Sequence, residues 1–129
     1  MNISEKYSLA EMAVEHALKC GADQASAYIY EHRSNNIEIR DQKIDSLKES
    51  NRSGLSINLY VNKKFSSHST NRLKKEDLLK FIEEAVNATK FLAEDEFRSL
   101  PDPGLYYKGG GPDLGTFDPK LDSVDAKTK

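Results

Sequence analysis

The histidines and the single cysteine are the side chains of this sequence that could bind a transition metal or act as a nucleophile. His16, His32 and His68 are separated by intervals that match no zinc-binding motif. Cys20 follows His16 by one helical turn, but it lies at the predicted end of a helix, where the helix dipole disfavours a thiolate. This spacing predicts no metal site and no reactive thiol.

The stretch Ser66–Thr70, which reads SSHST, could supply a serine nucleophile and a histidine base. Adjacent strand residues point to opposite faces, so Ser67 cannot reach His68, whereas Ser66 and His68 share a face. No third group is identifiable that would orient the histidine for nucleophilic catalysis. We interpret the stretch as an exposed polar strand face and keep a small hydrolase using Ser66 and His68 as an alternative.

Three consecutive glycines, Gly109–Gly111, could form a loop that binds a phosphate. Such a loop needs a strand before the glycines and a helix directly after them, so that backbone N–H groups face the anion. Here Tyr106 and Tyr107 precede the glycines within a loop, and Pro112 follows at once. The pattern favours a connector, whose tyrosines would lie along the surface of a neighbouring domain.

Length and charge restrict the class of protein. The chain has 129 residues, which is enough for one domain with a core, and a net charge of −2 argues against a nucleic-acid partner. The N-terminus carries charges where a signal peptide needs an apolar run, and no apolar stretch reaches the roughly 20 residues of a membrane span. We expect a soluble cytoplasmic protein with no membrane partner.

Two segments have the periodicity of amphipathic helices. In residues 4–20, Ala13 and Ala17 lie at the centre of an apolar face that can approach a sheet closely, and Gly21 then supplies a C-terminal stop. A second apolar face runs through residues 74–93. The sequence therefore predicts one helix before the strands and one after them.

Residues 25–71 alternate between apolar and polar positions in the manner of β-strands, with polar turns at Asp41–Lys43 and Asn62–Lys64. Short connections favour antiparallel pairing. We predict an α+β fold in which an antiparallel sheet of about five strands carries both helices on one face and is followed by an extended C-terminal tail.

The other face of this sheet would be exposed and rich in tyrosine. Aromatic rings beside an arginine can contact a peptide, a partner protein or nucleic-acid bases. The candidate contact residues, with the two tyrosines of the connector, are Tyr28, Tyr30, Arg40, Tyr60, Tyr106 and Tyr107.

The domain organisation follows from a change in composition near residue 98. We predict an α+β N-terminal domain at residues 1–98 and a connector rich in proline and glycine at residues 99–129. Asp118–Ser123 has the pattern of a turn leading to a helix N-cap, so we expect the chain to be the truncated front part of a longer protein.

Several segments, in order, are similar to the N-terminal domain of the TldD/PmbA family, once called modulators of DNA gyrase. They include a helix end followed by a Gly-Ala entry to the first strand, a charged hairpin, a glycine-led strand with a Ser/Thr-rich return, and Asp-Pro and Pro-Asp-Leu sequences after the second helix. These segments are Lys19–Ala25, Asn36–Asn51, Ser53–Thr70, Leu100–Tyr107 and Pro112–Pro119. The sequence of the tail resembles the PmbA (TldE) branch more than the TldD branch.

The resemblance implies a longer zinc-dependent peptidase that acts on small or unfolded peptides. Active family members bind the metal through a His-Glu-x-x-x-His helix and a cysteine in their C-terminal part. None of the three histidines here is followed by glutamate in that pattern, so no catalytic, metal or cofactor residue carries over to this chain. Zinc would belong to the full-length protein, and some PmbA-type members that lack the motif are thought to be partners of a TldD-type subunit.

The functional hypothesis is a noncatalytic N-terminal region of a TldD/PmbA-type metallopeptidase, or of its inactive partner subunit. It would help to shape substrate access and contribute to subunit contacts. The expected partners are the remainder of its own chain, a second subunit in a homo- or heterodimer, and a peptide substrate. The alternative is a self-contained module that binds protein or nucleic acid through the tyrosine face.

Overall fold

The structure, a computed structural model, describes residues 1–125, 127 and 128. It contains two helices, three strands and two short 3-10 helices. Their bounds are α1 Ile3–Lys19, β1 Gln24–Arg40, β2 Lys43–Val61, β3 Lys64–Thr70, α2 Lys75–Thr89, and the 3-10 helices Pro103–Leu105 and Pro119–Ser123. Neither α-helix in the described part of the chain has the length and apolar character needed to cross a bilayer.

The chain divides into two compact units. The first consists of Met1–His32 and Asn51–Pro101, and the second of Arg33–Ser50 together with the described residues from Asp102 onward. Strands β1 and β2 thus contribute to both units. The division predicted from composition, with a domain at 1–98 and a connector at 99–129, stays a prediction.

The prediction of about five strands is wrong, because the sheet of the described residues has three. Predicted strands at Ala25–Tyr30 and Asn36–Arg40 are continuous within β1, and two more are continuous within β2. The polar residues between them break the apolar alternation but include no proline, so the extended backbone continues. Here the loss of alternation marks exposed side chains rather than the end of a strand.

Helix α1 is capped at both ends. The Asn2 side chain accepts a hydrogen bond from the Glu5 N–H at 2.8 Å, and the Glu5 carboxylate accepts one from the Asn2 N–H at 2.9 Å, which is a capping box. At the other end Gly21 has a φ of 110°, and the Ala22 N–H donates to the Ala17 carbonyl at 3.0 Å. This Schellman arrangement confirms Gly21 as the stop.

Helix α2 ends at Thr89, four residues before the end predicted at residue 93. The N–H groups of Phe91 and Leu92 donate to carbonyls three residues back, both at 3.2 Å, instead of four residues back. This tighter turn ends the α-helical pattern. Phe91 is 89% exposed, so no burial favours a longer helix at this position.

The sheet has the order β1-β2-β3, and β3 runs antiparallel to β2 with pairs from Leu55–Thr70 to Val61–Lys64. The predicted turns are confirmed at Asp41–Gln42 and Asn62–Lys63. All four residues have positive φ angles, between 48° and 62°. This is the geometry of a type I′ turn, which matches the twist of the flanking strands.

The core of the first unit lies between β2 and both helices. Alternate residues of β2 are completely buried, and they pack against small residues of α1 and larger ones of α2. The principal members are Ala13, Ala17, Leu55, Ile57, Leu59, Val61, Leu78, Ile82, Ala85 and Val86. The two helices therefore cover one face of the sheet, as predicted.

The second unit contains two exposed ion pairs. Arg33 Nη1 lies 3.3 Å from the Asp122 carboxylate, and Arg40 Nε lies 3.9 Å from that of Asp45. Exposed pairs of this kind contribute little to stability. Each 3-10 helix of this unit begins with a proline and is capped by the aspartate that precedes it.

Replacing Lys63 by glycine should stabilise the protein, because Lys63 has a φ of 62°, which costs less for glycine than for other residues. We expect the free energy of unfolding to rise by about 0.5 kcal/mol, measured by urea denaturation. The Asp95 N–H donates a hydrogen bond to the backbone carbonyl of Lys63, and glycine at this position would keep that bond. Lys63→Ala is the matched control, since it removes the side chain without relieving the backbone, and equal stability of the two variants would contradict this account.

Candidate functional site

Tyr28, Tyr30 and Tyr60 lie on the sheet face away from the helices. The helix-facing residues of β2 are Leu55, Ile57, Leu59 and Val61, so Asn58 and Tyr60 point to the opposite side. On β1, Ser26 accepts a hydrogen bond from the Asn58 side chain at 3.4 Å, which places its same-face neighbours Tyr28 and Tyr30 on that side as well. The structure thus brings three of the six predicted contact residues to one surface.

Tyr30 lies directly over Gly54 of β2. A Cβ atom built on Gly54 would lie 2.5 Å from the Tyr30 hydroxyl oxygen and 2.9 Å from the Thr70 carbonyl oxygen, which leaves no space for a side chain. Glycine at this position therefore allows the tyrosine ring to cover the neighbouring strand. Tyr30 is held in place by this contact.

Tyr60 belongs to a small aromatic group with Phe65 and Arg98. The Tyr60 and Phe65 ring centres are 5.1 Å apart, and the Arg98 guanidinium carbon lies 4.5 Å from the centre of the Phe65 ring. Arg98 also pairs with Asp95 at 3.2 Å. The Tyr60 ring is therefore already engaged by its neighbours. Tyr28, which is 58% exposed, is the most accessible tyrosine of this face.

A cleft of about 340 Å³ lies beside Tyr28, between α1 and the first part of β1. Its lining is mostly apolar and consists of Ile3, Lys6, Tyr7, Ala10, Ala27, Tyr28 and Ile29. Lys6 forms an ion pair with Glu31 at 2.7 Å, which links the helix to the strand. Since β1 has one strand neighbour in the described sheet, the cleft follows an open strand edge.

The remaining predicted contact residues belong to the second unit. Arg40 is 3.9 Å from Asp45, and Tyr106 and Tyr107 are exposed by 45% and 82%. The Tyr107 hydroxyl donates to the carbonyl of Gly110.

The glycine stretch lacks the flanks of a phosphate loop. Gly109, Gly110 and Gly111 all have positive φ angles, which suits glycine. In the described residues they follow irregular backbone, and the next helical turn begins eight residues later, at Pro119. The backbone N–H groups are therefore not presented by a helix terminus, and the phosphate interpretation has no support.

Ser66 and His68 were predicted on an exposed polar face, and this prediction is wrong. Pairing of β3 with β2 sets Ser66 opposite Leu59 and His68 opposite Ile57, on the helix-facing side. Ser66 is 8% exposed and His68 is partly buried. The sequence of β3 does not indicate which face is buried, because small polar residues occupy positions on both faces.

A chain of hydrogen bonds joins β3 to α2 through these residues. His68 Nε2 lies 2.9 Å from Ser66 Oγ, Ser66 Oγ lies 2.5 Å from Thr89 Oγ1, and the Thr89 hydroxyl donates to the Ala85 carbonyl at 2.7 Å. Because Thr89 uses its proton on Ala85, it accepts the proton of Ser66, and Ser66 then accepts from the Nε2–H of His68.

This direction of donation does not support the serine–histidine hydrolase. With Thr89 donating to Ala85, the Ser66 proton is used on Thr89, and His68 Nε2 would then donate to Ser66. His68 therefore cannot act as a general base towards Ser66 in this arrangement. The group stabilises the fold by connecting a strand to a helix.

Thr89→Val should destabilise the protein, because it leaves the buried Ser66 hydroxyl without its acceptor while keeping the side-chain shape. We expect the free energy of unfolding to fall by about 1–3 kcal/mol in chemical denaturation. Ser67→Ala, on the exposed face of the same strand, is the control and should change it by less than about 0.5 kcal/mol. Indistinguishable losses in the two variants would refute the role of the hydrogen-bond chain.

His16, Cys20 and Glu83 come together where α1 meets α2. His16 Nε2 lies 3.1 Å from Glu83 Oε1 and 3.6 Å from Cys20 Sγ. His16 and Cys20 are one turn apart on α1, which the sequence shows, but Glu83 is 67 residues further along the chain from His16. No local pattern could have identified the third member.

The surroundings of Cys20 keep its thiol protonated. Burial raises the pKa of the Cys20 thiol, the Glu83 carboxylate raises it further, and the Lys90 ammonium opposes both by lowering it. Since the thiolate is the reactive form, a raised pKa lowers reactivity at neutral pH.

Alkylation rates should follow the two charges. With chelator present at pH 7, Glu83→Gln should lower the pKa of Cys20, raise its thiolate fraction and speed its reaction with iodoacetamide. Lys90→Gln should raise the pKa and slow the reaction. Glu84→Gln, which changes an exposed charge one residue away from Glu83, is the control. A slower reaction in Glu83→Gln, or a faster one in Lys90→Gln, would overturn the assignment of causes.

The sequence matches the model of a known protein family. A family model described as PmbA/TldA metallopeptidase domain 1 matches residues 25–89, just over half of the chain. The chain belongs to the PmbA/TldD family. The matched region of this PmbA/TldD member runs from the second residue of β1 to the end of α2, so it contains all of the sheet except Gln24.

A solved structure agrees with this assignment. The crystal structure of a Bacteroides thetaiotaomicron protein, described as a candidate modulator of DNA gyrase, is similar with a TM-score of 0.90 and 40% sequence identity. The match covers 98% of this chain and 29% of that protein, so the chain spans less than a third of its relative. The curated proteins gave no match.

The residues present do not fit the zinc site that the family resemblance implies. That site needs a His-Glu-x-x-x-His helix, whereas His16, His32 and His68 are followed by alanine, arginine and serine. His32 and His68 lie on strands. No residue of this PmbA/TldD domain is therefore assigned to catalysis.

Proposed function

We propose that this N-terminal domain serves a PmbA/TldD-type metallopeptidase, or its inactive partner subunit, by guiding peptide substrates and contributing to subunit contacts. The domain itself supplies no catalytic group. Its substrates would be small or unfolded peptides, which have free backbone N–H and C=O groups. The complete protein would act in the cytoplasm, and zinc would be held by a part of it outside this chain.

The open edge of β1 carries this proposal. An extended peptide can add to such an edge as a further strand, with main-chain hydrogen bonds for affinity and pockets for alternate side chains. The segment Gln24–His32 offers an edge of this kind beside the apolar cleft. A folded protein has few extended segments available for this pairing, so the edge would select unfolded chains.

The cleft supports a preference for apolar side chains. Ile3, Tyr7 and Ile29 form apolar parts of its lining, and Tyr28 contributes an accessible aromatic ring at the strand. A peptide with apolar residues at every second position would place one of them here while its backbone pairs with β1. The Lys6–Glu31 ion pair at the same location has no net charge, so it would repel a charged peptide side chain of either sign only weakly.

Exposed apolar residues of the second unit support a role in contacts with the remainder of the protein or a second subunit. Leu105, Leu114 and Phe117 are each more than three-quarters exposed. Large apolar side chains at this level of exposure are typical of surfaces that another part of a protein covers. The homo- or heterodimer expected of this family is proposed on the same grounds.

Peptide titration tests the proposal. We expect an unfolded peptide of alternating valine and threonine to shift the amide NMR signals of Gln24–His32 in the labelled chain. Tyr28→Ala should weaken binding several-fold, corresponding to about 1 kcal/mol for a lost aromatic contact. Phe91→Ala removes an aromatic ring that is 89% exposed and lies outside the cleft, so it should bind normally.

The same variants separate guidance from catalysis in the complete protein. Tyr28→Ala should lower kcat/KM for peptide hydrolysis while the zinc content stays unchanged, and Phe91→Ala should alter neither. If the β1 signals stay unmoved at saturating peptide, or if both variants lower binding alike, the strand-addition role is wrong.

A further inference from the structure

Three metal-ligating side chains from two helices meet at the boundary between α1 and α2. His16 comes from the last turn of α1, Cys20 is the C-cap residue that follows it, and Glu83 comes from α2. One ligand atom from each lies within 4.8 Å of the other two. His16 is 21% exposed and Glu83 is 54% exposed, so the cluster opens to solvent on one side. Imidazole, thiolate and carboxylate are the three ligand types that zinc uses in proteins.

Two of the three separations are close to the edges of a zinc tetrahedron. With zinc bonds of about 2.0–2.1 Å to nitrogen, 2.3 Å to sulfur and 2.0–2.2 Å to oxygen, tetrahedral angles require about 3.6 Å between N and S and about 3.4 Å between N and O. The structure has 3.6 Å between His16 Nε2 and Cys20 Sγ and 3.1 Å between His16 Nε2 and Glu83 Oε1. The Cys20 sulfur and the Glu83 oxygen lie within 4.8 Å of each other, against about 3.6 Å for a tetrahedral edge, so the exposed Glu83 side chain would move inwards when the ion binds.

We propose that His16 Nε2, Cys20 Sγ and a Glu83 carboxylate oxygen bind one zinc ion, with water as the fourth ligand. On binding, the Cys20 S–H bond breaks, the sulfur forms a bond to zinc and the proton passes to solvent. The ion joins α1 to α2 and so stabilises the helical layer. This zinc site differs from the family's peptidase centre, which requires a motif that the chain lacks.

The backbone around the cluster is well suited to hold the ligands in position. His16 and Cys20 flank Ala17, which is completely buried, and Glu83 follows the completely buried Ile82. Ligands placed on packed helices keep their geometry better than ligands on loops. Without an ion, the His16–Glu83 pair and the Cys20–His16 hydrogen bond hold the same three side chains together, so metal titration is needed to distinguish the two arrangements.

One positive charge opposes the ion. The Lys90 ammonium acts on Cys20 electrostatically, and it lies 3.4 Å from the Asn87 side-chain oxygen, to which it donates a hydrogen bond. A nearby cation repels a dication. Removing the charge of Lys90 should therefore tighten zinc binding.

Cobalt and zinc titration of the metal-free chain tests the proposal. Co²⁺ should give the absorption of a tetrahedral site with a thiolate-to-metal band, at one ion per chain, and Zn²⁺ should displace it. Cys20→Ser should abolish the thiolate band, and His16→Ala and Glu83→Gln should weaken affinity by at least the roughly 10–100-fold that a lost supporting residue costs. Lys90→Gln should strengthen it.

The controls distinguish this site from binding elsewhere. His32→Ala and Glu84→Gln remove the same ligand types at exposed positions outside the cluster, so both should bind Co²⁺ like the unaltered chain. Circular dichroism checks that each variant is folded, and Glu83→Gln keeps the test valid because Glu83 is exposed. Absence of stoichiometric binding, or binding that survives both Cys20→Ser and Glu83→Gln, would overturn the proposal. Neither result bears on the peptide-binding edge.

Discussion

Burial of the alternate side chains Leu55, Ile57, Leu59 and Val61 holds the first unit together, because both helices pack on β2 through these four residues. Burying each such side chain contributes about 1.5–3 kcal/mol. The alanines of α1 add little apolar area, but their small size brings the helix close to the sheet. The neighbouring strands and both hairpin turns keep β2 extended, so that every second residue faces the helices.

Two polar groups depend on this arrangement. The hydrogen-bond chain from His68 through Ser66 to Thr89 forms only because β3 pairs with β2 in a register that turns these residues towards α2. The His16–Cys20–Glu83 cluster forms where the helices meet above the core. The first group connects a strand to a helix through buried hydroxyls, whereas the second is partly open to solvent. The buried group is therefore a structural contact, whereas the solvent-accessible cluster is a candidate ligand site.

One edge of the described sheet, that of β1, has backbone groups with no partner strand. The β1 edge has no second strand neighbour in the described sheet, and proteins usually protect such edges from unwanted pairing. Here the Lys6–Glu31 ion pair lies near this edge, and Lys6 also lines the apolar cleft. Membership of the PmbA/TldD family gives this geometry a biochemical context, since peptides are extended when unfolded. The open edge beside the cleft belongs to the first unit, and the exposed Leu105, Leu114 and Phe117 belong to the second.

The sequence by itself determined the two helices, the stop at Gly21, both turns and the resemblance to the family, because each depends on residues close together in the chain. It did not determine the number of strands, since exposed polar residues in β1 and β2 interrupt the alternation without ending the strand. Nor could it place Ser66 and His68 on the buried face, because that face is set by pairing with β2. Glu83 joins His16 across 67 residues only when both helices pack on β2, so tertiary structure alone decided the cluster.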